Sequence, residues 1–568
     1  MASGPPTTPN SDEKDIRLGS SGTSTGKTGL VVAERDADVT LRLIEEHGDD
    51  ARPLSPEKAK RVQWKLYWRI MGLLSLVNIM LFVSPISRSA RHRSHTQVDK
   101  STLGFSAILG LFKETKITKA EYNNLQTFFY IGELSDGASR TPLTLGYILA
   151  QWPGHYAMQR LPLGKFVAGL VFLWGVIILL HCVATRYAGL AVLRIALGAA
   201  ESVVVPAMEM TISMFFDRHQ QSVLQPVLWI TAAAAPILAS FIAYGLLWAD
   251  SSILPWKLLM ITTGGMSTVL AILVWFQYPD NPATVKFLTL EEKIHTIKKV
   301  HASSQSSIEQ KHFKKEQFIE TLRDPVSWLF ALQTFCLMIS NNLTYGQKNL
   351  FVTSLGIDAL GSTLVTAAGG AFSVVMHIIA AYALHKKPSN LAYHAAFWCI
   401  IPFAGGIGMV TIAWGKDLAL LACLILCGST GGITYIIALG WTSSSAAGYT
   451  KKLTRNVMFM FGYSISNLIS PQIWVPSDAP RYYGAWATMI VVSWFGTPVV
   501  LIAIRFILAK RNKQRREWLA GLSEKERDEA FGEVVQLDEV TGQIVKRKVD
   551  LALLDKTDLE NKRFIYPL

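Results

Sequence analysis

About twelve stretches of this chain are apolar enough and long enough to cross a lipid bilayer. No other feature limits the fold as strongly. In hydrocarbon every backbone amide and carbonyl must find its partner inside the protein, which leaves helices or a closed barrel. The runs here are continuous rather than alternating, and that pattern belongs to helices. Charged residues make up 17% of the 568 positions and mean hydropathy is +0.27. Soluble domains carry roughly 25% charge. The chain therefore reads as an all-α polytopic membrane protein, with about twelve transmembrane helices in two six-helix halves.

Several function classes drop out at once. All five cysteines (Cys182, Cys336, Cys399, Cys423 and Cys427) lie inside apolar runs, with no CxxC or Cys/His cluster. Neither a disulfide framework nor a metal site is indicated. No nucleophile–base constellation or phosphate loop is present, so neither an enzyme nor a cofactor is expected. The net charge of +13 is spread over the segments between spans rather than gathered in a patch, which argues against nucleic acid.

Residues 1–60 are rich in Ser, Thr, Gly, Pro and Asp, read as a disordered cytoplasmic tail without a signal peptide. The first half covers 61–279, a polar central segment 280–325, the second half 326–510, and a basic tail 511–568. The clear spans lie near 166–184, 187–214, 224–248, 256–279, 326–346, 360–384, 391–412, 418–444, 457–475 and 484–508. Thr289-Leu-Glu-Glu292 is a capping-box pattern that predicts a helix to about Val300. The first two spans are interrupted by polar inserts at 84–98 and 133–146. Joining Val83 to Asp99, or Gly132 to Tyr147, restores one continuous span in each case. Retained intron sequence and genuine loops are both compatible with this; the restored continuity favours intron sequence. Lys and Arg concentrate after even-numbered spans (Arg160, Lys165, Arg218, Lys386, Lys387, Lys451, Lys452, Arg455), which places that side and both termini in the cytoplasm.

The fourth span, Tyr187–Met214, carries Arg194 and, seven residues on, Glu201. Seven residues is nearly two turns, so the pair shares one helix face. Such charges persist in membranes where they face a bundle interior or a wet cavity, or where an ion pair fixes helix register. A carboxyl withdrawn from water holds a proton more readily, which makes Glu201 the candidate acceptor and Arg194 its stabiliser or an anion ligand. Glu209 reads equally well as an interfacial carboxylate. Asn341 and Asn342, with Gln333, interrupt the seventh span and suggest a broken helix with hydrogen-bonding capacity. His181 and His377 sit in apolar runs, where packing or proton relay are the alternatives; Asn467 and Gln472 are weaker cavity candidates.

VDKSTLGFSAILG (98–110), WPGHYAMQRLPLGKF (152–166), LRIALGAAES (193–202), YPDNPATVKFLTLEEK (278–293), SPQIWVPSDAPRY (470–482) and DKTDLENKRFIYPL (555–568) occur in order. Together they resemble the major facilitator superfamily, in particular the fungal allantoate permease branch of anion:cation symporters. The resemblance spans about 60–568 apart from the two inserts. It implies import of a small organic anion with protons through alternating access, in the class of allantoate, ureidosuccinate, dipeptides or vitamin carboxylates such as nicotinate and pantothenate. It also implies a monomer in the lipid bilayer, in the plasma membrane, with no nucleic-acid partner. Gln159–Lys165 looks like the superfamily's loop between spans two and three, where Arg160, Gly164 and Lys165 would gate the cytoplasmic side; Gln159 stands where an acid is usual. Asp99 and Lys100 are similar to the first-helix motif and should face the cavity. A transporter-like nutrient sensor, or a non-functional product of faulty splicing, are the alternative readings.

A chain lacking 84–98 and 133–146 is expected to reach the cell surface in yield well above the full sequence. Surface labelling of the two forms side by side checks this, and equal yields would identify the inserts as native loops.

Overall fold

The computed structural model describes residues 31–33, 40, 43–44, 54–83, 146–184, 186–247, 255–304, 312–341, 343, 351–352, 355–357, 359–388, 390–470, 472–475, 478, 481–523, 531–537, 544–550 and 554–568. Asp99, Lys100, Asn342 and nearly all of both inserts fall outside these residues.

The first span begins as α1 (Pro56–Leu66), passes through a widened turn at Tyr67–Met71, and continues as α2 (Gly72–Val83). Ser55 accepts from the Lys58 amide and Pro56 occupies the first turn, so the start is fixed locally. Then follow α3 (Gly146–Arg160), α4 (Leu163–His181), the pair α5 (Tyr187–Glu201) and α6 (Val204–Phe215), α7 (Arg218–Leu247) and α8 (Pro255–Gln277). The central segment holds α9 (Leu290–Ser304) and α10 (Lys315–Arg323). The expected capping box is present: the Thr289 amide donates to Glu292 Oε2 (2.9 Å) and the Glu292 amide to Thr289 Oγ1 (3.4 Å). The second half comprises α11 (Pro325–Met338), α12 (Ala359–Lys386), α13 (Leu391–Phe397) with α14 (Ile400–Thr411), α15 (Asp417–Ser429) with α16 (Gly431–Ser444), α17 (Tyr449–Ile469), and α18 (Tyr483–Thr488). The last span runs on from α18 through a second widened turn at Met489–Gly496 into α19 (Thr497–Ala520).

Each half packs on itself and the halves meet along defined seams. In the first, α4 lies along α8 and α7 along α2; in the second, α11 lies along α17 and α14 along α15. The halves are joined where α7 packs on α12 and α16, and where α3 packs on α17. Glycine permits the closest approach: a Cβ on Gly462 of α17 would overlap the carbonyl oxygen of Ala331 in α11.

Outside the bilayer region the tails add something an all-helical reading lacks. Three short strands form one sheet: β1 (Val31–Ala33) pairs in parallel with β2 (Phe531–Leu537), and β2 pairs antiparallel with β3 (Ile544–Asp550), Phe531 opposite Asp550. Val31–Ala33 thus lies in a strand within the segment read as disordered. Lys65 pairs with Glu292 at 2.8 Å and Thr40 bonds His301, so the N-terminal segment and the central helices share one end of the bundle. Residues 554–568 pack at that same end, called the tail end below.

Of the spans read as continuous, the ninth is broken at Trp398–Cys399, and two others are broken at equivalent places. The fourth stops at Ser202–Val203 and restarts with Pro206 in its first turn; the tenth breaks at Thr430. These last two breaks are related by the six-span repeat, and so are the side chains that serve them. Gln151, on span two, donates to the Ser202 carbonyl (3.0 Å). Ser373, on span eight, donates to the Ser429 carbonyl (2.8 Å). Four residues after each comes a histidine, His155 and His377, whose Nδ1 is bonded to the carbonyl of Gln151 (2.7 Å) or Ser373 (2.8 Å). This is internal repetition at the level of single hydrogen bonds.

Gly462→Ala is expected to destabilise the bundle by about 1–3 kcal/mol through overpacking, whereas Gly265→Ala, whose Cβ would meet nothing within 4 Å, is expected to be neutral. Thermal unfolding of the purified variants checks the contrast.

Candidate substrate pathway

Arg194 and Glu201 lie on one face of α5 and are 1% and 6% exposed. That face turns toward α3 and α4, inside the first half, and Arg194 stands within electrostatic reach of His181 on α4. Glu201 is the last residue before the break at Ser202. A buried cation and a buried acid thus lie on the helix that leads into an irregular backbone segment.

Glu209, on α6, is also buried; Gln225 of α7 donates to its Oε2 at 2.7 Å. Gln225 presses against α16, for a Cβ on Gly440 would overlap its amide. In the second half α11 ends at Met338, as the amides in the seventh span predicted. Asn341 donates to Asn467 Oδ1 at 2.5 Å, which brings together two residues singled out separately in the sequence. Gln333 is buried and accepts from Thr334. His377 is buried at the seam between halves, near Trp229 of α7 and Gly432 of α16.

The expected gating loop is arranged differently from a salt-bridged relay. Arg160 lies over the Tyr156 ring (4.7 Å) and Lys165 over Trp275 (5.7 Å), both exposed. Gly164 is the fixed point: its amide donates to Asp280 Oδ1 (2.8 Å), and a Cβ there would overlap the Tyr278 carbonyl. Gln159 links the halves by donating to the His312 carbonyl (3.0 Å) and to Thr450 Oγ1 (3.2 Å).

The densest electrostatics lie at the tail end of the second half. Asp324, the N-cap of α11, pairs with Arg455 and Arg511 at 2.8 Å each. Lys451 pairs with Glu320 (2.6 Å) and with Asp558 (2.8 Å), and Tyr566 donates to Asp558 at 2.6 Å. Lys451 and Arg455, read in the sequence as loop cations that mark a membrane side, are in fact fully buried. Residues 554–568 supply much of this network. Asn512 and Tyr566 exchange two bonds of 2.9 Å, Trp441 donates to the Pro567 carbonyl (2.8 Å), and Asp555 pairs with Lys314 (2.8 Å). The same segment reaches the first half: Arg218 donates to the Ile565 carbonyl (3.0 Å) and lies over the Phe564 ring (4.5 Å). Beside it α7, α16, Leu391 and Pro567 line an open-sided cavity of about 190 Å³. At this end the two halves are therefore tied together.

Residues 101–471 match the Major Facilitator Superfamily. The chain belongs to that superfamily. It is 47% identical over 522 residues to an uncharacterised transporter of Schizosaccharomyces pombe, covering 91% of this chain and 85% of the relative. It is 39% identical over 562 residues to the high affinity cysteine transporter of Saccharomyces cerevisiae, covering 98% and 99%. Allantoate permease of Saccharomyces cerevisiae is 27% identical over 557 residues, covering 95% and 92%. Among solved structures the proton:xylose symporter XylE superposes with a TM-score of 0.57 at 12% identity, covering 78% of this chain and 96% of that one. Superfamily membership makes the protein a multi-pass secondary transporter rather than an enzyme, with a small-molecule substrate.

Local sequence reading missed Asp324 and Asp558, whose partners Arg455 and Lys451 lie more than a hundred residues away, and Tyr566, whose partners Asn512 and Arg515 lie about fifty residues away. The only signal was the closing stretch DKTDLENKRFIYPL, whose acids and aromatics have an obvious purpose once placed beside Lys451 and Arg515.

Burial alone would push the Asp324 carboxyl up, but Arg455, with Arg511 and Lys451, holds it down to about 2 from an ordinary 3.8. A depressed carboxyl contributes stability that is present above its unfolded value and lost as pH falls toward its folded value. The tie should therefore be constant between pH 5 and 8 and fail only below about pH 4. Asp324→Asn strands Arg455 and is expected to cost about 3–5 kcal/mol. Thermal unfolding against pH, with and without the substitution, checks both statements.

Proposed function

We propose that this transporter imports a small carboxylate-bearing solute together with protons, by alternating access, with cysteine first among the candidates. The tail end faces the cytoplasm in this reading, consistent with the basic loops, and the membrane is the plasma membrane. The observation that carries the proton coupling is the buried Arg194–Glu201 face at the break in span four. The break lets Glu201 change its exposure when the helices around it move, and Arg194 sets its charge balance. A proton moving inward gains about 2.3 kcal/mol per 100 mV of inside-negative potential, enough to concentrate a solute many-fold. Support for the solute comes from relatives: the cysteine transporter matches over 98% of this chain at 39% identity, and allantoate permease at 27%. Cysteine and allantoate share a carboxylate, and cysteine adds an ammonium. The allantoate-class anion expected from the resemblance remains within the panel to be tested.

The test is uptake of labelled cysteine, allantoate, nicotinate, pantothenate and a dipeptide by yeast lacking its own permeases, at acidic and neutral external pH. Cysteine uptake stimulated by acid and abolished by an uncoupler is the expected result, with about tenfold accumulation per pH unit for one coupled proton. Arg194→Gln and Glu201→Gln should each remove the acid stimulation. Surface-located protein that moves none of the panel, or moves cysteine without regard to pH, would overturn the proposal.

A further inference from the structure

The break in span ten has an unused recognition surface. Helix α16 opens with Gly431 and Gly432; the N-cap Thr430 does not cap it, its hydroxyl donating instead to the Trp398 carbonyl, and the Ile433 amide is taken by the Thr430 carbonyl. The N-terminal turn of a helix favours a carboxylate, through free amides and the helix dipole together. A Cβ on Gly431 would meet nothing within 4 Å, so there is open space at the turn. A Cβ on Gly432 would stand 3.5 Å from His377 Nε2 and 3.0 Å from Trp229 Nε1, so both rings are directed at the same turn.

His377 supplies an independent sign of a ligand. It is 2% exposed, and its Nε2 has no hydrogen-bond partner among the described residues. The ring's other nitrogen fixes what Nε2 can do. Nδ1 lies 2.8 Å from the Ser373 carbonyl, which can only accept, so Nδ1 carries the hydrogen. Ser373 Oγ, 3.4 Å from Nδ1, already donates to the Ser429 carbonyl, so it too can only accept from the ring. In the neutral ring Nε2 is then an acceptor, buried and unserved, a state that costs free energy unless a donor arrives.

We propose that the break in span ten binds the head group of an α-amino acid: the carboxylate on the first-turn amides at Gly431 and Gly432, the ammonium on His377 Nε2. An α-amino acid carries an acceptor and a donor a few ångströms apart, the complement of amides beside an unserved acceptor. Trp229 belongs to the first half while His377 and Gly432 belong to the second, so movement of α7 away from α16 opens the site. At the equivalent break in span four the carbonyl is served in the same way, by Gln151, and His155 Nε2 is likewise buried with no partner among the described residues. The difference is steric: Val203 occupies the space a Cβ on Gly154 would need, and no glycine pair opens the following half-helix. The head-group site therefore belongs to the second half, and the proton-coupling face to the first.

This site deepens the carboxylate-solute reading, and two measurements keep their failures apart. The first is competition for labelled cysteine uptake by cysteine methyl ester, which lacks the carboxylate, and by N-acetylcysteine, which lacks the ammonium. It is run in the chain as given and in the chain freed of both inserts. Each modification should weaken competition by about tenfold or more, since each removes a charge-assisted bond. His377→Leu should raise KM by about tenfold with Vmax little changed and erase discrimination against N-acetylcysteine. His377→Gln, which retains an acceptor, should restore both. Gly432→Ala should relieve discrimination against the methyl ester instead. Variants at the surface with wild-type KM and wild-type discrimination would overturn the site while leaving the transport reading intact. The second measurement needs no transport: thermal stabilisation of the purified full chain by cysteine. Stabilisation in wild type that disappears in His377→Leu supports the site. No stabilisation in wild type, or equal stabilisation in both, overturns it.

Discussion

A backbone amide or carbonyl without a partner in hydrocarbon costs several kcal/mol, and this constraint governs where the bundle can afford irregular chain. It is met at the break in span four by Gln151 and at the break in span ten by Ser373, each from the span two positions earlier in its own half. Once the carbonyl of a break is served, the amides of the following half-helix are the groups left over. In the first half Val203 packs into the space beside Gly154; in the second, paired glycines open the following half-helix. Divergence between two repeats of one plan thus turns a structural solution into a candidate binding surface on one side only.

The division of labour follows from where charge is tolerated. Arg194 and Glu201 are held within the first half, away from the seam. The seam itself is lined by neutral polar and aromatic groups such as Trp229, Gln225 and His377, which can part and rejoin without separating a buried ion pair. The ion pairs are kept at the tail end, where Asp324, Lys451, Arg455 and Asp558 are buried together and compensate one another. Charge is thus concentrated where the halves are tied, and neutral side chains line the contact of α7 with α12 and α16.

Much of this was legible in the sequence, and what was not has a physical reason. Span positions followed from apolar length, the Thr289–Glu292 helix start from a local hydrogen-bond pattern, and the burial of Arg194 and Glu201 from their spacing on one face. The end of α11 at Met338 was signalled by Asn341 and Gln333. The break at Ser202 was not, because its cause is a side chain on another span; Pro206 was the single local hint. The break at Thr430 carried a clearer signal, Gly428 with Gly431 and Gly432, that the apolar run concealed. Lys451 and Arg455 misled most: residue type and position placed them in a solvated loop, but Asp324 and Asp558 draw them inside. Counter-charges more than a hundred residues away are invisible to any window of sequence.

Residues 554–568 follow every span in the chain, yet Lys451 and Trp441 find partners among them, and so does Arg218 from the first half. Lys451 therefore lacks its Asp558 partner until a segment that follows every span has folded back beneath them. The tail end is thus sealed by residues distant in sequence from the helices they join, and its final packing depends on those helices already standing side by side.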